Sequence, residues 1–422
     1  MPVSRTKLAS LPHAVFLQRV SNNASPTSLE ARLGQGSFLA LRLVDLLASD
    51  RGQVSADAFH YQWVATDRFC RELRATSAEG AHIHGISASA ADAYRLNDSR
   101  LITPALFAYA HFLEDELRLE EALDVLATLL DIGASLAVPA DGVAARLRLG
   151  RVNRKLNRFD EAETAYGAAG DLAAAHGDRY SELLSRIGRA NSLIGRGNLA
   201  EAERALRSIL ADARSAGLRD AEARAEHGIG VTLGYRGQPD EAVAYFWRAF
   251  ELYEDEDSQL RALGDVGQTL LVVGNAVAAE HALAEVVRRG GTRDATTNAM
   301  IELMHCASFR RDQVGFARWR ERSETRLPQM PPNIRADFYL KQAVGQARFR
   351  QYQRAEGLLD KVLEVASAVG LHELEFRIER IKNGLGACAQ QLVVQPAATT
   401  EPVFDTEELR EVSASLAQLV GG

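Results

Sequence analysis

No stretch of this 422-residue chain comes near the roughly 20 consecutive apolar residues that a membrane-spanning helix needs. The apolar run near the N-terminus, Ala14 to Leu17, is too short for the core of a signal peptide, so a cytoplasmic location is the expectation. Cysteine is almost missing. Cys70, Cys306 and Cys388 are far apart and odd in number, which excludes a disulfide framework or a paired-cysteine metal knuckle. They read instead as idle thiols in a reducing compartment. There is no surplus of positive charge: the net charge of -7 offers no general basic surface for nucleic acid. Phosphate-loop, HExxH and GxSxG motifs are absent as well. Gly228 and Gly230 imitate part of a dinucleotide fingerprint but lack the strand it requires. Nothing here supports an enzyme, a cofactor or a membrane partner. Proline is sparse too, at 11 residues, which removes the commonest helix breaker from most of the chain.

What is abundant is Ala, Leu, Arg and Glu, residues that lose little side-chain freedom in a helix. They are arranged in a repeat. An alanine recurs just after a turn at Ala122, Ala162, Ala202, Ala242, Ala279, Ala317 and Ala355, at intervals of 37 to 40 residues. Twelve positions before each lies Ala110, Gly150, Ala190, Gly230, Gly267, His305 or Ala343, small in every case but one. Four positions after come Leu126, Tyr166, Leu206, Phe246, Leu283, Glu321 and Leu359, large and apolar in every case but one. Small residues on two helices allow close backbone approach, and the bulky residue one turn on fills the space toward the next pair. Asn157, Gly197, Gly237 and Gly274 with Asn275 mark the turns between helices, since they tolerate a left-handed backbone. Acidic openings such as Asp160-Glu161 and Asp240-Glu241 suit the positive end of a helix dipole.

The pattern resembles the tetratricopeptide repeat family, most clearly at Ile229, Gly230, Leu233, Ala242, Phe246 and Ala249, and at Leu149, Gly150, Ala162, Tyr166 and Ala169. The units exceed the family's usual length of about 34 residues, as in the longer repeats of bacterial signal-sensing regulators and kinesin light chains. The resemblance implies an all-α, right-handed α-solenoid of about seven antiparallel helix pairs over 101–370. The sixth unit departs from the pattern, with His305, Glu321 and Glu324 where small or apolar residues belong.

Outside the array, the polar segment 1–30 reads as a disordered arm and 31–100 as an N-terminal helical cap. A helix-turn-helix in that cap is the sharper alternative, but no helix there carries a clustered basic face. Residues 371–390 read as a C-terminal capping helix, and 391–422 as a linker and amphipathic tail helix with Leu409, Val412, Leu416 and Leu419 on one stripe. A stripe of that kind needs a groove, in this molecule or in another, whether a separate partner or a second copy in self-association. His82 and His84, the one histidine pair of metal-ligand spacing, fall in a helical region where side chains two apart face different ways, so no metal site is expected.

In the family it resembles, the first helix of each pair lines a concave groove. By register that places Arg148, Arg151, Lys155 and Asn191 there, followed by Arg224, His227, Tyr235, Arg261 and Gln268. A row of cations and amides suits a protein or peptide partner with an acidic or amphipathic helical segment. The expected function is a non-enzymatic binding scaffold. The alternative is a regulator whose groove senses a peptide or small molecule and controls a partner.

Overall fold

The computed structural model describes residues 11–22, 25–47, 55–133, 139–369, 378–379, 381–382 and 406–421. Among them the regular structure is helical. The contacts divide the chain into two compact units, Met1–Asn198 and Leu199–Gly422.

The first unit holds α1 (Ala14–Asn22), α2 (Leu29–Asp45), α3 (Ala56–Arg74), α4 (Ala78–Leu96), α5 (Thr103–Asp115), α6 (Leu119–Gly133), α7 (Pro139–Lys155), α8 (Phe159–Ala175) and α9 (Arg179–Gly195). The second holds α10 (Leu199–Ser215), α11 (Arg219–Tyr235), α12 (Pro239–Leu252), α13 (Glu256–Val272), α14 (Ala276–Arg289), α15 (Arg293–Phe309), α16 (Gln313–Glu324), α17 (Pro332–Arg348), α18 (Tyr352–Val369) and α19 (Glu407–Gly421). In the first unit α5 with α6 and α7 with α8 form pairs and α9 is a further first helix; in the second α10 is a second helix, and α11 with α12, α13 with α14, α15 with α16 and α17 with α18 form pairs. Each unit stacks antiparallel pairs in the α-solenoid manner, neighbour on neighbour.

The packing follows the small-residue pattern. Ala122, Ala162, Ala202, Ala242, Ala279 and Ala355 are fully buried at the fourth position of their helices. The bulky side chains beyond them use the missing Cβ atoms of glycines. A Cβ on Gly150 would lie 2.8 Å from the Tyr166 ring, and one on Gly188 of the next first helix 2.3 Å from the same ring. Phe246 against Gly230 and Leu283 against Gly267 repeat the arrangement at 2.9 and 2.6 Å. The turns at Asn157, Gly197, Gly237 and Gly274 all adopt positive φ, as their residue types suggest.

Two expectations are corrected. In the sixth pair the register runs one residue earlier than the sequence suggests. Phe316, not Ala317, is the buried fourth residue of α16, and Ala317 is exposed. Met304, buried, takes the small-residue position instead of His305. This pair therefore has two large residues where the others have small ones, and Phe316 presses on Gly345 of α17, where a Cβ would lie 2.2 Å from its ring. An alanine next to the true position disguised the shift.

The second correction concerns the arm. Within 1–30, residues 14–22 form α1, with Phe16 fully buried and stacked 6.2 Å from Tyr109. Polar residues tie this helix down rather than freeing it. Arg19 reaches Glu79 at 2.8 Å, and that carboxylate also takes Arg118 at 2.7 Å and the Tyr109 hydroxyl at 2.9 Å. His13, also buried, lies 2.5 Å from Asp124 and 3.3 Å from Asp45.

For the tail, the structure selects one of the alternatives left open. Its apolar stripe is satisfied within its own unit: α19 packs on the second helices α12 and α14, burying Leu409, Val412 and Leu416, while Asn275 donates to Ser413 Oγ at 3.1 Å. It lies on the second-helix side rather than over the first helices. The capping helix expected over 371–390 lies outside the described residues, apart from Ile378 and Ile381, which pack on the core of α17 and α18.

Two measurements test this packing. Gly230→Leu should cost about 3 kcal/mol or more, because a branched side chain would displace Phe246. Gly237→Ala, strained only through its positive φ, should cost about 1 kcal/mol. Thermal melts that rank the two equally would refute the close-approach account. The second measurement uses pH. Burial alone would lower the His13 pKa, but Asp124 and Asp45 outweigh it and raise it to about 9. A raised folded-state value means the stabilisation is complete below about 6.5 and lost as pH rises through 9, on the order of 2–3 kcal/mol in all. His13→Gln should be less stable than the native chain at pH 6, and the gap should close by pH 9.5 or so.

Candidate functional site

In the first unit, Arg148, Arg151 and Lys155 project from α7, at spacings that place them on one stripe. All three converge on a residue that sequence reasoning missed, Glu114 of α5. Arg148 Nη1 lies 3.1 Å from Glu114 Oε2, while Arg151 Nε and Lys155 Nζ lie 2.6 and 2.7 Å from Oε1. The Glu114 side chain is 2% exposed and that of Arg151 49%, so the carboxylate sits beneath cations that still meet water. Burial alone would raise the Glu114 pKa, but Arg151, Lys155 and Arg148 together hold it below the usual carboxylate range. Three positive charges thus share one negative charge. Asn191 of α9 is half-buried and makes no side-chain hydrogen bond among the described residues. Glu114 stands 37 residues before Arg151 on the neighbouring first helix, three off the local 40-residue interval, so the repeat register did not point to it.

In the second unit the expected residues do not form a single row. Arg224 Nε is 2.6 Å from Asp220 on its own helix. His227 Nε2 lies 2.8 Å from Asp265 Oδ2 on α13, and its ring stands edge-on to Phe246. Tyr235 is at the exposed end of α11, 72% accessible. Arg261 donates to Ser258 Oγ at 2.9 Å. Gln268 Nε2 donates to Glu302 Oε1, also at 2.9 Å.

Arg261 and Gln268 do meet, as part of the wall of a cavity of about 300 Å³ between α13, α15 and α17, with Leu283 of α14 also contributing. Asp265, Asn298, Glu302 and Asp337 supply most of the remaining polar lining. Beside it Lys341 of α17 reaches Glu302 and, at 2.6 Å, Asp337. Burial opposes the Lys341 charge, but Glu302 and Asp337 outweigh it and raise its pKa, so the amine stays protonated. Burial conversely raises that of Glu302. His305, half-buried near Arg348, is pushed down to about 3 by burial and by that guanidinium, and remains an uncharged ring against Phe309. His82 and His84 project from α4, and no group of residues suited to a metal ion occurs among the described residues.

Residues 181–255, which span α9 to α12, match the family model of the tetratricopeptide repeat. The chain carries tetratricopeptide repeats. No curated protein matches it. Among solved structures, similarity reaches a Rap conjugation gene regulator of plasmid pLS20 in complex with the Phr* peptide, at 12% identity over 86% of this chain and 99% of that one, with a TM-score of 0.49. Aspartyl phosphate phosphatase F from Bacillus subtilis follows at 13% identity, 82% and 95% coverage and a TM-score of 0.47. NprR in complex with its cognate peptide NprX gives 12%, 82% and 90%, and 0.45. Values this low carry nothing about the ligand or activity of the present repeats. No helix among the described residues is long and apolar enough to cross a membrane.

The buried ion pair at the cavity gives a prediction. Lys341→Met should destabilise the second unit by about 3–5 kcal/mol, since it leaves Glu302 buried without its cation. Adding Glu302→Gln should recover much of that loss in thermal melts. If the double variant is no better than the single one, the pair is not the source of the cost.

Proposed function

We propose that this tetratricopeptide-repeat chain is a non-enzymatic binding protein whose first-helix surface receives an acidic, amphipathic helical segment of a partner. The observation that carries the proposal is the cluster on Glu114. One buried carboxylate fixes the orientation of Arg148, Arg151 and Lys155 but cancels only one of their three charges. Cations held in place lose less freedom on meeting a partner's carboxylates than cations on unrestrained side chains. Asn191, with no side-chain bond of its own among the described residues, adds an amide for a partner's main chain. Electrostatic contact of this kind speeds encounter and sets specificity more than it sets affinity, so binding should weaken as salt rises.

The test must respect Glu114. Reversing the cations to glutamate would crowd negative charge onto a buried carboxylate and confuse binding with unfolding. Changing Arg148, Arg151, Lys155 and Glu114 together to glutamine removes the surplus charge and keeps hydrogen-bonding groups. A fluorescein-labelled amphipathic peptide with glutamates along its polar face serves as the probe. The quadruple variant should bind it at least about tenfold more weakly than the native chain, with little salt dependence left. Arg204→Gln with Arg207→Gln, on the second helix α10, should change little. Equal losses in both variants, or no salt-sensitive binding by the native chain, would refute the assignment.

A further inference from the structure

The cavity of the second unit has a chemistry opposite to that of the Glu114 cluster. Three carboxylates line it, Asp265, Glu302 and Asp337, against Arg261 in the wall and Lys341 beside it. Which of these groups still has bonding capacity matters more than the sum. Glu302 takes both Lys341 and Gln268 on Oε1 and is buried. Asp265 gives Oδ2 to His227, and Asp337 gives Oδ2 to Lys341. Oδ1 of each has no partner among the described residues, one on α13 and the other on α17. Both aspartates are about one-third exposed, at 34% and 38%, so these oxygens are open to a ligand. Asn298 of α15 and Asn333 of α17, both exposed in the lining, are equally without side-chain partners among the described residues.

We infer that this cavity binds a primary ammonium or guanidinium group carried by an extended peptide. Such a group brings several N–H donors and a positive charge to two walls that offer open carboxylate oxygens, and charge-assisted bonds of this kind are the strong ones. The flanking amides of Asn298 and Asn333 can each donate and accept, which matches a peptide main chain on either side of the cation. Arg261, with one of its N–H groups bonded to Ser258, stands where it can donate to a main-chain carbonyl. Room is sufficient: a volume of about 300 Å³ lies at the lower end of the usual range for ligand clefts. This inference concerns another unit than the acidic-segment reading and does not depend on it.

Saturation-transfer and titration NMR on the full chain tests it with blocked alanine tripeptides whose central residue is arginine, lysine, norleucine or glutamate, and with free cadaverine. The arginine and lysine peptides should bind at least about tenfold more tightly than the other two. Asp265→Asn with Asp337→Asn should abolish that preference, while Glu280→Gln, on the second helix α14, should keep it. Because Asp337 also touches Lys341, Asp265→Asn alone should show a partial loss at an unchanged melting temperature. The inference is overturned if norleucine or glutamate binds as well as lysine, if the preference survives the double variant, or if no tripeptide binds. Cadaverine binding as tightly as the lysine peptide would overturn the peptide part, because the main-chain contacts would then add nothing.

Discussion

The structure depends on one steric arrangement, a large side chain seated on glycine. Tyr166 rests against Gly150 in its own pair and Gly188 in the next, and any Cβ at either place would enter its ring. Interiors are packed closely enough that a single methyl group is felt. The ring therefore fixes how near successive first helices come. Between other first helices, cations on α7 reach a carboxylate on α5, and carboxylates on α13 and α17 share one cavity with α15. Where the seat is altered, at Met304 and Phe316, the contact is rebuilt by pressing Phe316 onto Gly345 instead.

On that scaffold the two units handle charge differently. The first places a carboxylate under three cations, and its surplus is positive. The second places a lysine among carboxylates and leaves acceptor oxygens open. In both cases a nearly buried ion with good partners organises more exposed groups around it. A buried ion pair is weak as a source of stability, because desolvation offsets most of the attraction. Its effect here is geometric, since it sets the direction in which the exposed partners point.

The ends of the chain show the same economy. At the N-terminal end, His13, Arg19 and Phe16 dock a short amphipathic helix through Asp124, Asp45 and Glu79 and one stacked ring. At the other, α19 covers its apolar stripe on α12 and α14. The stripe itself was plain in the sequence. Its destination was not, since any apolar groove satisfies the same pattern.

The sequence by itself determined the helices, the pairing and most of the register, because small and bulky residues recur at distances that only stacked pairs satisfy. It also placed the left-handed turns, where Asn157 and the glycines are the residue types that tolerate positive φ. It failed at the sixth pair, where Ala317 stands one residue from the true position and a local pattern cannot tell which of two neighbours points inward. The candidate site was legible as a list of cations and amides, but not as charge. Glu114, Asp265 and Asp337 carried no mark in the sequence, and folding brought them across from other helices. Net charge at a surface is a sum over side chains distant in sequence, and only the tertiary structure decides which of them share it.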